Sequence, residues 1–386
     1  MKIAHLTTVD MSLRYLLLPQ LEAALDLGES IGISAPGEFV AELEEVGIRH
    51  ISLSSSTRGM NLLADVRAIR QLWKVLRAEK PDILHTHNPK PGVYGRILGR
   101  LAGVPIVVNT VHGLYASEDS PWWKRFVVYS LEWIASRFSD AELVQSPEDF
   151  DLLYRWRIMP RKKLALLGNG VDLTRFRAMP EIRGEVRSEL GLAGDQVAIG
   201  LVARLVEEKG IPELIDATAT LDGSVTLIVG PKDPDKSDAV PDEVLLEAEA
   251  EGVQLLGMRQ DVDRIYQALD IFVLPSHREG FPRAAMEAAA SGLPVIASDI
   301  RGCRQVVEDG VNGYLFPVRD VAALHAALAR LVDDAGLRAK MSKASIELAQ
   351  ANFDERVIVR KVMGTYAEVA AAKGLFPELV ARWTEP

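Results

Sequence analysis

Short runs rich in β-branched residues alternate with helical patterns from the first residue onward, and nothing constrains the fold of this chain more. The runs fall at Ile3–Thr7, Ile31–Ala35, His50–Leu53, Asp82–His87, Pro105–Val111, Ala141–Ser146 and Leu164–Gly168. Near-continuous apolar strands separated by helices are the signature of a parallel sheet covered on both faces. A polar, turn-rich passage around Asp172–Gly194 interrupts the march. It restarts at Val197–Ala203, Val225–Gly230, Val253–Gly257, Ile271–Ser276, Pro294–Ser298 and Tyr314–Val318. Interruption and restart predict two doubly wound domains, spanning 1–178 and 185–354. Helical patterns follow at Val321–Val332 and Glu355–Ala371, and the tail Leu375–Trp383 is apolar enough to need a docking surface. Residues 355–386 are therefore expected to pack back on the first domain. In open parallel sheets ligands bind outside the C-terminal strand ends, which leads to the expectation of a site in a cleft between two such domains.

The 386 residues are 48% hydrophobic and 25% charged, the proportions of a soluble globular protein. The net charge of -10 argues against nucleic acid as a partner. Its distribution is uneven: residues 1–180 carry 22 basic and 20 acidic side chains, the remainder 22 and 34. One cysteine, Cys303, excludes an internal disulfide and a Cys-based zinc cluster, and suits a reducing compartment. No apolar run resembles a secretion signal or a membrane span, so a cytoplasmic location is expected.

Two familiar cofactor motifs are missing. The first strand runs into Thr7-Thr8-Val9-Asp10 with no glycine, where a nicotinamide-binding domain wants G-x-G-x-x-G, and no Walker loop is present. Asp233-Pro234-Asp235 and Asp261-Val262-Asp263 have the spacing of a divalent-ion site. The first lies in a Pro/Lys-rich loop, and Asp261 stands where an N-cap for a Val262–Leu269 helix is expected. His85 and His87 alternate along a strand end with no third ligand nearby in sequence. No metal and no cofactor are expected.

The chemistry concentrates in Ile271–Ala290, IFVLPSHREGFPRAAMEAAA. It reads as a buried strand, a turn carrying Glu279 and Gly280, and a helix with Pro282 at its first position, where a missing N–H costs nothing. Free N–H groups of that first turn, including those of Arg283 and Ala284, suit an anionic or hydroxyl-rich ligand. Glu279 precedes the helix and Glu287 lies inside it among alanines, where a carboxylate needs a purpose.

EGFPRAAME resembles the E-x7-E motif of the large retaining GT-B glycosyltransferase family, which includes glycogen-synthase-like, sucrose-synthase-like and bacterial cell-envelope enzymes. The resemblance covers nearly the whole chain, through GNGVD at 168–172, GLVARLVEEKG at 200–210, VLPS at 273–276 and ASGLPVIASDIRG at 290–302. It implies a GT-B fold of two Rossmann-like domains facing across a cleft and hexosyl transfer from a nucleotide sugar, a UDP-sugar above all, without a metal ion. Arg204 and Lys209 would hold the donor diphosphate, whose departure concentrates negative charge. Glu287 would take the ribose hydroxyls and Glu279 those of the transferred sugar. Gly280, Phe281 and Arg283 belong to the same donor segment, and Leu256, Gly257, Met258 and Arg259 would line the base pocket. His112 matches the family's histidine beside the transferred sugar, with a role in catalysis.

Residues 85–113 resemble the acceptor segment of enzymes that build lipid-linked oligosaccharides. Asn88 and Lys90 would hold an acceptor phosphate at a helix start; a capped turn before a core helix is the competing reading. Thr8 and Asp10 replace the glycine-rich loop of many relatives and would act on the acceptor, although Asp10 as N-cap of a Met11–Leu27 helix explains it equally well. Pro121–Phe138 combines Trp122, Trp123, Phe126, Trp133 and Phe138 with Lys124 and Arg125, and suits either a helix lying on an anionic membrane or one filling the core. The expected partners are thus a nucleotide-sugar donor, a glycan or polyprenyl-(di)phosphate acceptor and the inner face of the plasma membrane. A nucleotide-sugar epimerase of the same fold and a binding subunit without activity are the alternatives.

Overall fold

The computed structural model describes residues 1–57, 59, 62–87, 89–116, 120–233, 236 and 238–383. The chain divides into two compact units, Met1–Gly168 with Arg356–Pro386, and Asn169–Glu355. Both are doubly wound parallel sheets with helices on each face, as the alternation of runs implies.

In the first unit the strands are β1 (Lys2–Val9), β2 (Glu29–Ala35), β3 (Arg49–Ser52), β4 (Ile83–His87), β5 (Ile106–Val111), β6 (Ala141–Val144) and β7 (Leu164–Leu166). They lie in the order β3-β2-β1-β4-β5-β6-β7. The chain winds outward from β1 to β3, then crosses back to β4, so the order reverses between β1 and β4. One face places Ile3, Ile83, Ile106 and Val108 against Val362, Met363, Tyr366 and Ala367 of the helix Glu355–Lys373. The other packs Ala4, Leu6, Leu84 and Val107 on Leu72 and Leu76 of the helix Leu62–Glu79. The apolar tail docks in the first of these layers through Leu379 of the helix Pro377–Trp383.

The helix after β1 is not the single element the pattern suggests. It runs as Asp10–Ser12, a π-helical stretch Leu13–Leu17, then Leu18–Leu25. Pro19 explains the change: it has no N–H to donate, and its ring would collide with the carbonyl of Tyr15 in a continuous α-helix, so the turn before it widens.

The second unit repeats the plan with β8 (Val197–Val202), β9 (Ser224–Val229), β10 (Gln254–Gly257), β11 (Ile271–Leu274), β12 (Val295–Ser298) and β13 (Gly313–Phe316). Their order is β10-β9-β8-β11-β12-β13, reversing between β8 and β11. Its core includes Ile199, Leu201, Phe272 and Val273 with Ala285, Met286, Ala288 and Ala289 of the helix Arg283–Ala290. Among the described residues no helix is long and apolar enough to cross a membrane.

One buried ionic cluster ties the first unit together. Arg96, fully buried in the helix Pro89–Leu101, donates to Glu142 on β6 at 2.8 Å and to Glu132 at 2.6 Å. Glu142 also accepts from Asn109 (2.9 Å) and Ser139 (2.6 Å). Removing the cation leaves two carboxylates facing each other away from water. Arg96→Met should therefore destabilise this unit by about 3–5 kcal/mol. All six tryptophans, Trp73, Trp122, Trp123, Trp133, Trp156 and Trp383, belong to it, so fluorescence-detected urea unfolding reads it selectively. A loss below about 1 kcal/mol would show that the cluster reorganises without cost.

Candidate active site

In the second unit the loops leaving β8 and β11 meet at the reversal of strand order. Gly210 takes a left-handed φ of 69°, and a Cβ there would stand 2.1 Å from the carbonyl oxygen of Pro275, so only glycine lets the loops approach. The backbone N–H of His277 donates to the Glu208 carbonyl at 2.8 Å. The His277 ring contacts Glu213 at 2.7 Å, and Arg278 pairs with Glu208 at 3.2 Å. Lys209 then reaches Glu279 at 2.5 Å, and the Ser276 hydroxyl donates to the same carboxylate oxygen at 2.8 Å. Arg204, two residues after the end of β8, pairs with Asp233. Gly302 completes the fit, because a Cβ there would lie 2.7 Å from the Glu279 carbonyl oxygen.

Behind this loop, Pro282 occupies the N-cap position and the helix begins at Arg283, one residue later than its sequence suggests. Tyr266, fully buried, shares its hydroxyl between Glu287 Oε2 and the Ala284 carbonyl, each at 3.2 Å. Burial pushes the Glu287 carboxyl above its ordinary range, while Arg283 and the Tyr266 hydroxyl pull against that shift. Arg283 is engaged within the unit: it donates to the Gly170 carbonyl at 3.0 Å and lies 3.8 Å from Glu287 and 3.7 Å from Glu355. Phe281 packs edge-on against Phe353, and its carbonyl accepts from Asn169 at 3.1 Å. Gly257, φ 63°, closes β10, and its carbonyl accepts from the Gly230 N–H.

The first unit gathers four imidazoles at its own reversal point. His5 on β1 and His85 on β4 are register partners, His87 is two residues further along β4, and His112 follows β5. His5 Nδ1 lies 3.1 Å from His87 Nε2, and His87 Nδ1 lies 3.0 Å from His112 Nε2. His85 bonds Thr110 (2.7 Å) and the Tyr366 hydroxyl (2.6 Å). Burial holds all four down: His5 to about 3, His112 to about 4 against a hydrogen bond it donates to Gln145, and His85 and His87 well below 6.5. The third imidazole that the sequence spacing did not reveal is His5, since the ligand atoms of His5, His85 and His87 lie within 4.8 Å of one another. Both ring nitrogens of His85 and of His87 serve these hydrogen bonds, which join the imidazoles into a polar network.

A family model described as "Glycosyl transferases group 1" matches residues 182–348, and a "Glycosyl transferase 4-like domain" matches 27–170. The Escherichia coli UDP-Gal:alpha-D-GlcNAc-diphosphoundecaprenol alpha-1,3-galactosyltransferase is 32% identical over 337 residues, 84% of this chain and 85% of that one. The chain belongs to the group 1 glycosyltransferases. The Campylobacter jejuni N,N'-diacetylbacillosaminyl-diphospho-undecaprenol alpha-1,3-N-acetylgalactosaminyltransferase is 25% identical over 96% of the chain and 99% of its own length. In fold, the glycosyltransferase resembles Anabaena Alr3699/HepE in complex with UDP and glucose, with a TM-score of 0.78 at 22% identity over 95% of this chain and 99% of that one. The architecture is GT-B.

In the glycosyltransferase, several residues singled out from sequence have occupations the sequence does not show. Asp10 is not an N-cap, a position held by Val9; its two oxygens accept from the N–H groups of Met11 and Phe39, each at 2.9 Å. Asp261 stands at the cap position but turns to Arg259 at 2.7 Å, and Asp263 pairs with Arg175 at 2.7 Å. Lys90 is held by Asp65 at 2.7 Å and by the Thr57 and Gly59 carbonyls. Thr8 lies near the end of β1, where its carbonyl accepts from Ser56 at 3.0 Å. Asn88 and the Pro234-Asp235 pair lie outside the described residues. Sequence reasoning passed over Tyr266, Ser276 and His277; Ser276 and His277 sat inside the segment already singled out, but Tyr266 carries no local signal.

The neutral imidazoles make stability depend on pH. Their folded values lie below 6.5, so the unfolded chain binds more protons as pH falls, and folding weakens from about pH 7 downward until the folded values near 3–4 are approached. Each imidazole contributes roughly 2 kcal/mol of loss between pH 8 and pH 5. Tryptophan-detected unfolding should show this slope, and His5→Phe should reduce proton uptake on unfolding at pH 5 by about one. Equal stability at pH 5 and pH 7 would contradict neutral burial.

Proposed function

We propose that this glycosyltransferase moves a sugar from a UDP-sugar to an acceptor carried on polyprenyl diphosphate, with retention of configuration and without a metal ion. The observation that carries the reading is the joining of the loops after β8 and β11, which brings Arg204, Lys209 and Glu279 to the C-terminal ends of the central strands beside the helix of Glu287. Fixed cations there suit a departing diphosphate, and they supply the charge stabilisation that a divalent ion supplies elsewhere. The carboxylates with D-x-D spacing favour the same view, since Asp233, Asp261 and Asp263 are each spent on an arginine. Glu287 takes the ribose and Glu279 the transferred sugar. The E. coli and C. jejuni relatives bear names that specify undecaprenyl-diphosphate-linked sugars, and the first names UDP-Gal as donor, which supports the same substrate classes here. Thr8, Asp10 and Lys90 serve the acceptor, and Lys90 then exchanges Asp65 for phosphate.

A peripheral contact with anionic membrane belongs to this reading. The helix Trp122–Ala135 buries only Ala135, leaving Trp122 74%, Trp123 58%, Phe126 68% and Trp133 51% exposed, which overturns the core-filling alternative. An apolar surface of this kind flanked by Lys124 and Arg125 suits a bilayer interface.

Transfer to a short polyprenyl-diphosphate sugar tests the function. Activity is expected to persist in EDTA, and Arg204→Ala to lower turnover by roughly 10²-fold. Glu287→Ala should weaken binding of free UDP, whereas Glu279→Ala should spare UDP binding and depress transfer; equal losses in calorimetry would contradict these roles. Activity lost in EDTA and restored by magnesium would remove the metal-independent mechanism.

Cosedimentation with anionic vesicles tests the membrane contact. Trp122→Ser with Phe126→Ser, one helical turn apart and both exposed, should lower binding several-fold at low salt without shifting the unfolding midpoint. Wild-type protein that ignores such vesicles would refute it.

A further inference from the structure

The histidine network of the first unit has a direction, and the direction can be read from its inner end. His5, His85 and His87 are fully buried, while His112 is only half-buried. Among the described residues His5 Nε2 has no hydrogen-bond partner. In the chain from His5 through His87 to His112, each neutral ring carries one N–H, and His87 must accept at one nitrogen and donate from the other. Only two proton arrangements keep both bonds. If the protons sit on Nε2 throughout, His5 aims an N–H into the core with nothing to receive it. If they sit on Nδ1 throughout, His5 leaves only a bare lone pair there. Orphaned buried N–H groups are the rarer defect.

We infer that His5 and His87 form a buried positioning relay that holds His112 as the Nδ1–H tautomer, so that His112 meets its ligand as a hydrogen-bond donor and not as a base. His87 donates into His112 Nε2 and thereby occupies the nitrogen that an isolated histidine would use for exchange with a hydroxyl. In the free protein the His112 ring hydrogen-bonds the Gln145 side chain, and on this reading a hydroxyl oxygen of the sugar takes that place at Nδ1–H when donor binds. The second half of the inference rests on the proposed position of His112 beside the transferred sugar; the tautomer does not.

The inner arm of the network is fixed separately. His85 receives from Tyr366 and gives to Thr110, or the reverse, without joining the relay, and its ring lies tilted against His87 with centroids 4.1 Å apart. That packing limits rotation of His87 and keeps its Nδ1 aimed at His112.

Two-bond ¹H–¹⁵N correlation spectra of ¹⁵N-histidine protein, with His112 assigned by the loss of its signals in His112→Asn, read the tautomer directly in the free enzyme. The expected result is a protonated Nδ1 on His112 and on His87 at pH 7.5; an Nε2–H tautomer on His112 overturns the inference, whatever the enzyme transfers. Variants at His87 supply the kinetic arm. His87→Gln can still donate into His112 Nε2 and should keep the Nδ1–H tautomer and turnover within about threefold. His87→Leu cannot donate, and should release His112 to Nε2–H and lower kcat at least tenfold while the KM for donor changes less than twofold. Should His87→Leu unfold, the wild-type spectrum still decides. Equal kcat in the two variants with an unchanged His112 tautomer would reduce His87 to packing. A wild-type spectrum as expected in a protein that transfers no sugar would instead count against the transferase reading.

Discussion

A parallel sheet covered on both faces admits no water, so each polar side chain in it must find its partner within the protein. The rest of this structure follows from how that demand is met. In the first unit the central strands carry His5, His85, Thr86, His87, Asn109, Thr110 and Glu142, all buried. They resolve into two networks on opposite faces of β5. Asn109 joins Thr86 and Glu142 to Arg96, an arrangement that needs full charge compensation because a lone carboxylate there would cost several kcal/mol. Thr110 joins the histidines, which meet the same demand by remaining neutral. One network braces the sheet against the helix Pro89–Leu101; the other runs toward the strand ends.

The second unit handles charge differently because its polar groups stand beyond the sheet. Arg204 and Lys209 are each matched to a carboxylate, Asp233 and Glu279, and all four side chains are at most one-third exposed. Partly buried cations without partners would repel each other and destabilise the loops that carry them. On the proposed function the diphosphate replaces Asp233 at Arg204 and releases Glu279 from Lys209, which frees Glu279 for the sugar. Binding thereby exchanges one anion for another and keeps the local charge nearly balanced. The tight approach at Gly210 and Gly302 leaves the backbone little room to move during that exchange.

The fold was legible because hydrophobic periodicity and turn residues act locally: thirteen strand runs, a restart in the second half and the E-x7-E segment can be seen without three-dimensional knowledge. Pairings between distant strands were not legible. His5 stands 80 residues from His85, and only the crossover that puts β1 beside β4 makes them neighbours. Asp10 and Asp261 sat where caps are common, yet Phe39 and Arg259 claimed their carboxylates, because a long-range or charged partner outweighs a cap worth about 1 kcal/mol. The helix Trp122–Ala135 defeated periodicity for another reason. Its apolar residues ring the wheel, so no sequence stripe says which side faces the sheet.

The two networks together narrow the route of the acceptor proton. A His112 that accepts at Nε2 from His87 and donates from Nδ1 has no vacant lone pair with which to take a proton. Burial further disfavours the imidazolium it would become. Asp10, a carboxylate near the strand ends of the first sheet that could take a proton in its place, already holds the N–H groups of Met11 and Phe39. Stripping it of those bonds would cost the turn at Gly37 and Phe39 its anchor. On the proposed mechanism the base is then the departing diphosphate itself, whose oxygens gain charge as the bond to the sugar breaks and lie on the face from which the acceptor attacks. Transfer from that face places the new bond where the old one was, so the engagement of His112 and Asp10 by other partners and retention of configuration fit the same mechanism.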